Sequence, residues 1–393
     1  MTARRLVLDA KVRPYPMALV SADHFRYHDD GPIDPREVLS SPTFSLYCLD
    51  PRRREAIFVQ TPAQVDLRAA PFYFQAQYEA AQGLVAVGYD TLHELAETVP
   101  VDPARLILVY SVGRCGSTLV SRAFAESGGV LSLAEPDVLT QLVALRGTGH
   151  CDPGELSRLV RSCTRLVCAG GAGGAGTPTG AGTPTGAGTP TGAGDGHRVA
   201  IKFRSFVVQL ADVFHQQFPA ATNVFLYRGA HAWSRSTMRA FGAREPQAEA
   251  QQAQVQDRLG RLLPLLAAYR AAQGRLLTPV EAMACHWVGL MEQALALRQR
   301  GVPMFTARYE ELTAAPHAVL AALFGYCGLP ALPAPVVDRL LAGDSQAGSS
   351  VSRAAVQAAD GSFDPDELSR VIAALSTTVT PDLVLPETSA PVG

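Results

Sequence analysis

The chemistry in this sequence starts at residues 111–124, SVGRCGSTLVSRAF. Two glycines, small hydroxyl residues and one arginine follow the apolar run Arg105 to Tyr110, and Leu119, Val120, Ala123 and Phe124 then share one helical face. At such a strand-to-helix turn the N–H groups of Cys115 to Leu119 converge on a helix N-terminus, where free donors and partial positive charge suit phosphate or sulfate. A Walker A loop, G-x-x-x-x-G-K-[ST], is excluded because Ser117 follows Gly116 directly and the lysine is missing. A cysteine-phosphatase loop is excluded as well, since Ser121 stands where it would need arginine. Taken alone, the segment also fits a Gly-rich turn that holds nothing.

A second basic group lies downstream. Arg228 closes the apolar run Asn223 to Tyr227, and Ser236 follows within the first turns of the next helical pattern. A guanidinium offers a fork of charged donors and the hydroxyl adds a neutral one, a combination suited to an anion. Lysine occurs only at Lys11 and Lys202 among 34 basic residues, an arginine skew expected of GC-rich coding. A lysine that persists at the end of a strand-like run has a reason to be there.

Arg114-Cys115-Gly116-Ser117-Thr118 resembles the 5′-phosphosulfate loop of sulfotransferases, in which a basic residue precedes a small residue, glycine and two hydroxyl residues. Arg228 and Ser236 keep the spacing of the family's 3′-phosphate site, and Arg308 to Leu312 (RYEEL), before Pro316, looks like its "RYEDL…P" segment. The resemblance spans roughly residues 104 to 330. It implies a bacterial enzyme that uses 3′-phosphoadenosine 5′-phosphosulfate (PAPS) as sulfuryl donor, on a P-loop NTPase-like three-layer α/β fold with a mostly parallel central sheet. By that resemblance Arg114, Ser117, Thr118 and the amides of Cys115, Gly116 and Leu119 hold the phosphosulfate, and Cys115 fills a small-residue slot. Arg228 and Ser236 hold the 3′-phosphate, the RYEEL segment does structural work, and no metal takes part.

The proton acceptor separates the branches of the family. Cytosolic members carry a histidine after the lysine of the next strand, whereas this chain reads Lys202-Phe203-Arg204, and a permanently charged arginine is no base. Tyrosylprotein sulfotransferases use a glutamate after the strand that follows the loop helix, and Glu135 in VLSLAEPDVL occupies that place. Partial burial there would raise its pKa toward a useful range, although Pro136 also makes Glu135 readable as an acid near a helix start. Asp137 is the second choice and His231 the third; His286, in MACHWVGL, reads as a core histidine. Lys202 then offsets charge near the bridging oxygen, as the family's catalytic lysine does. The family's "RKGxxGxW" closing segment is missing; Asp344 to Arg353 offers hydroxyls and an arginine for that role, but a plain solvent loop is the preferred reading.

The chain as a whole accommodates such a site. Its 393 residues are 47% hydrophobic, enough for one large core, and the net charge of −2 leaves no basic field for nucleic acid or an anionic membrane. With no signal-like or spanning apolar run and seven scattered cysteines, a cytoplasmic protein is expected. The runs at 105–110, 130–134, 198–203, 223–227 and 302–307 alternate with helical patterns and predict a parallel sheet with ligands beyond its carboxyl ends. Residues 1–100 read as a small α+β extension containing a hairpin, 101–377 as the α/β domain, and 246–299 as a helical cap. The GAGTPT repeats within 170–196 read as a disordered insertion and 378–393 as a flexible tail. The acceptor is a small-molecule or glycan hydroxyl that the sequence does not specify, and oligomeric state is not legible. Rival readings are an atypical P-loop kinase or nucleotidase, and an inactive nucleotide-binding module.

Overall fold

The computed structural model describes residues 3–149, 151–172, 197–242, 248–346, 351–352 and 361–385. The repeat insertion expected at 170–196 lies almost wholly outside them.

Five short apolar runs form a parallel sheet: β6 (Leu106–Ser111), β7 (Val130–Ala134), β8 (Arg198–Lys202), β9 (Thr222–Tyr227) and β10 (Phe305–Arg308), in the order β10-β9-β6-β8-β7. Every residue of β6 is buried, as a central strand covered by helices on both faces requires. The last strand is shorter than the sequence suggests. Pro303 has no N–H to give the ladder, so pairing with β9 begins at Phe305, while Val302 and Met304 are buried beside it. From β6 the chain reaches the far edge at β7, returns to β8, then crosses β6 to β9. This reversal opens a crevice at the carboxyl end of β6.

The first hundred residues build a complete second sheet. β1 (Ala3–Lys11), β2 (Phe25–Pro32), β3 (Phe44–Asp50), β4 (Glu55–Gln60) and β5 (Gly83–Gly88) pair antiparallel in the order β2-β1-β5-β4-β3. The expected hairpin is β3–β4, with Phe44 opposite Gln60. β3 is buried through most of its length because the helix Pro153–Ala172 packs against it, and one apolar cluster runs from Phe58 and Val87 here to Leu108 and Leu133 of the parallel sheet. The Gln141 side chain ties the two parts like an extra strand: it accepts from the Leu49 N–H and donates to the Leu49 carbonyl, both at 2.7 Å. The extension is thus seated on the α/β part through a shared core.

Residues 249–299 are helical, as Glu249–Gly260, Pro264–Gln273 and Pro279–Gln299. The last carries a capping box, Thr278 with Glu281, that defines its start. The segment expected to be loose from 378 is packed as far as Leu385. Val379 and Leu385 are buried, Ala230 donates to the Pro381 carbonyl, and the Leu385 N–H donates to the Tyr227 hydroxyl. Isolated apolar residues without a period were enough to dock it. Among the described residues no helix is long and apolar enough to cross a membrane.

Candidate active site

Each parallel strand delivers a polar or aromatic side chain at its carboxyl end, and all five line one cavity of about 1730 Å³: Arg114 after β6, Glu135 after β7, Lys202 closing β8, Arg228 after β9 and Tyr309 after β10. A convergence of this kind follows from parallel strand direction.

The loop after β6 turns on left-handed backbone at Gly113 (φ 76°), Arg114 (φ 51°) and Gly116 (φ 82°). Gly116 is also the N-cap of the helix Ser117–Glu126 and supplies no side-chain cap, so the first-turn amides are left to another acceptor. Glycine is required at 116 for a second reason: a Cβ there would lie 2.9 Å from Leu312 Cδ2 and 3.3 Å from Tyr309 Cδ2. Gly116→Ala is therefore expected to cost about 1–2 kcal/mol for the left-handed backbone alone, and more for the clash. Thermal denaturation should show the loss, together with weakened anion binding.

Ser117, Thr118 and Leu119 line the cavity, but the Cys115 thiol turns away and donates to the Leu226 carbonyl at 3.3 Å. Burial pushes that thiol up to about 11, so Cys115 carries no thiolate and can serve the site only through its main chain.

The two arginines meet. Arg228 Nη1 donates to the Arg114 carbonyl at 3.3 Å, and its guanidinium lies over the Tyr309 ring at 4.3 Å with Nε buried and unpartnered. Arg114 donates through Nε to Ser236 Oγ at 3.2 Å and through Nη1 to Gln346 Oε1 at 2.8 Å. Among the described residues neither guanidinium is paired with a carboxylate. Burial first and the neighbouring Arg228 charge second hold the Arg114 pKa below its usual value. The Asp344 charge acts on Arg114 more weakly and forms no ion pair with it, so two neighbouring cations are left that a phosphate or sulfate would relieve.

On the opposite side of the loop, Glu135 and Lys202 form a buried ion pair through Oε1, and the Glu135 N–H donates to the Lys202 carbonyl at 2.7 Å. Glu135 holds a left-handed backbone (φ 62°), one of three non-glycine residues to do so among the described residues, and two of those three, Arg114 and Glu135, line this cavity. Strained backbone of this kind is held in place by its surroundings and gathers at functional sites. The second carboxylate oxygen, Oε2, is buried without a hydrogen-bond partner. It is the free acceptor that a general base needs.

The other candidates are elsewhere. Asp137 is fully buried and gives Oδ2 to the Val20 N–H (3.2 Å) and Arg204 Nη1 (2.9 Å), which docks the N-terminal segment. His231 faces Ser369 Oγ at 3.0 Å, outside the cavity. Two residues taken as structural or left aside enter the site. Tyr309 of the RYEEL segment supports Arg228, and His286 lines the cavity with its Nε2 unpartnered. The described part of the 344–353 segment is no plain solvent loop, because Asp344 to Gln346 and Val351 line the cavity, Gln346 binds Arg114, and Val351 joins the core under the antiparallel sheet. Residues 347–350 and 353 lie outside the described set.

No family model and no curated protein matches this chain. The assignment therefore stands on the geometry.

Proposed function

We propose that this protein is a PAPS-dependent sulfotransferase with a P-loop NTPase-like α/β core, acting on a hydroxyl acceptor in the cytoplasm. The observation that carries the reading is the meeting of Arg114 and Arg228, each from a different strand end, beside helix amides without a side-chain cap and, among the described residues, with no ion pair to a carboxylate. A nucleotide with anionic groups on both its 3′ and 5′ sides suits two such cations. To engage it, Arg114 exchanges Ser236 and Gln346 for the 5′ side, freeing Ser236 to join Arg228 at the 3′-phosphate.

The reaction is an in-line displacement. The acceptor oxygen forms a bond to sulfur as the bond between sulfur and the 5′-phosphate oxygen breaks, its electron pair remaining on the phosphate. Glu135 takes the acceptor proton through Oε2. Lys202, released from Glu135 Oε1, moves toward the charge growing on the leaving oxygen. The pair thus supplies a base and a cation that hold each other until the donor separates them. The chain's seven cysteines are all free and six of them are buried, which agrees with a reducing compartment.

Calorimetry with adenosine 3′,5′-bisphosphate against AMP tests the nucleotide assignment. The bisphosphate is expected to bind at least about tenfold more tightly, because only it carries the group for Arg228 and Ser236. Equal, weak binding would sink the reading, and Mg²⁺-dependent ATP turnover would favour the kinase rival.

A further inference from the structure

The cavity is larger than a nucleotide requires. Its volume of about 1730 Å³ exceeds the roughly 300–1,000 Å³ of sites that hold one drug-sized ligand. The anion-handling groups gather at the strand ends, and the wall beyond them is built from residues 12–24, Phe72, Phe206 and the helices Glu249–Gly260 and Pro279–Gln299. That wall is mainly apolar, through Leu19, Val20, Phe206, Leu259, Leu262 and Met283.

The apolar character reaches the mouth. Six large hydrophobic side chains are exposed among the described residues, and four of them line this cavity: Val12 (38% exposed), Tyr15 (42%), Val255 (40%) and Phe241 (53%). Exposed apolar residues are ordinarily scattered singly, so their concentration around one opening marks a surface that a ligand covers. Of the cations on this side, Arg204 is engaged by Asp137 and the Met17 carbonyl and Arg258 by the Tyr15 hydroxyl, while Arg52 and Arg261 also line the cavity. A polar exception in the wall is His286, stacked on Phe206 at 5.2 Å and edge-on to Trp233 at 5.1 Å, with Nε2 buried and unpartnered. Burial lowers its pKa to about 4, so the ring is neutral and its unpartnered Nε2 is left with one hydrogen bond to make at the cavity wall.

We propose that the acceptor is an uncharged, largely apolar hydroxyl compound, a phenol or a hydrophobic alcohol. Its body lies along residues 12–24 and Phe206 and emerges past Val12, Tyr15, Phe241 and Val255. The proposal rests on the sulfotransferase reading and narrows its acceptor. A glycan fits less well, because part of its hydroxyl surface would be pressed against Leu19, Val20, Phe206, Leu259, Leu262 and Met283, although Ser21, Asp23 and Thr237 offer polar atoms in the same lining. His286 Nε2 takes the one additional polar atom that such an acceptor carries.

The test measures binding of 7-hydroxycoumarin and of methyl glucoside to the full chain by calorimetry, with adenosine 3′,5′-bisphosphate titrated separately. The coumarin should bind and the glucoside should not. A Phe241→Ser/Val255→Ser double variant, altered only at exposed positions, should weaken the coumarin by about tenfold and leave the bisphosphate unchanged. His286→Phe should also weaken the coumarin without touching the nucleotide. Glucoside binding as tight as the coumarin, or coumarin binding indifferent to all three substitutions, with the bisphosphate still bound, would overturn the acceptor class alone. Coumarin binding that depends on the rim residues, without any affinity for the bisphosphate, would keep the apolar site and remove the sulfuryl-transfer reading.

Discussion

Glu135→Gln should lower kcat by about 10²–10⁴, the range a positioned base contributes, with the Kd for adenosine 3′,5′-bisphosphate unchanged. Glutamine keeps the shape and can still accept from Lys202 through its carbonyl oxygen, but it cannot take a proton. The substitution also leaves the Lys202 ammonium buried beside a neutral group. Breaking a buried ion pair from one side costs about 3–5 kcal/mol, and the retained acceptor should hold the loss to the lower part of that range. A Glu135→Gln/Lys202→Met double variant separates stability from chemistry. Removing both charges should recover much of the lost stability, read by denaturant titration, and recover none of the turnover. Were the double variant to regain activity, the pair would be a structural element and the base would lie elsewhere.

Arg228→Met should weaken adenosine 3′,5′-bisphosphate binding by about 10²–10³ fold, since truncating one partner of a buried charged hydrogen bond costs about 2–5 kcal/mol. The same substitution should leave the ligand-free protein as stable as before or slightly more so. Arg228 stands against Arg114 and has no carboxylate ion pair among the described residues, and methionine retains an apolar stem over the Tyr309 ring while removing the repulsion. Opposite signs for binding and stability are the mark of a residue kept for a ligand. Calorimetry and thermal denaturation on one preparation give both numbers. An arginine serving only to brace the loop would instead lose stability and binding together.

Much of this site was legible before any coordinates. The loop at 113–118 announces itself through Gly113, Gly116 and the paired hydroxyls, because a left-handed turn at the start of a helix restricts which residues can stand there. The parallel strands are legible for a similar local reason: buried runs such as LILVY have no polar face to hide. Arg228 and Glu135 were singled out by the resemblance to sulfotransferase motifs, with their positions just past such runs in support. Other features were not legible. Tyr309 looked structural because its role depends on the Arg228 guanidinium, far away in sequence, lying over its ring. His286 read as core since its helix is apolar on most sides, and only the tertiary structure shows that it lines the cavity beside Phe206 and Trp233 with Nε2 buried and unpartnered. The packed segment at 378–385 has no period at all, and its order comes from the Tyr227 hydroxyl and the Ala230 amide that receive it.

The local pattern of this chain determined its strands, its helices and the strand-end places of the residues proposed to hold an anion, because backbone preference and burial act over a few neighbouring positions. Tertiary structure alone decided that the Arg228 guanidinium would reach the Arg114 carbonyl, that Lys202 would neutralise Glu135, and that the connection between β1 and β2, residues 12–24, would wall the cavity. Those outcomes depend on crossover connections and a core shared between distant segments, and no stretch of sequence carries that information by itself.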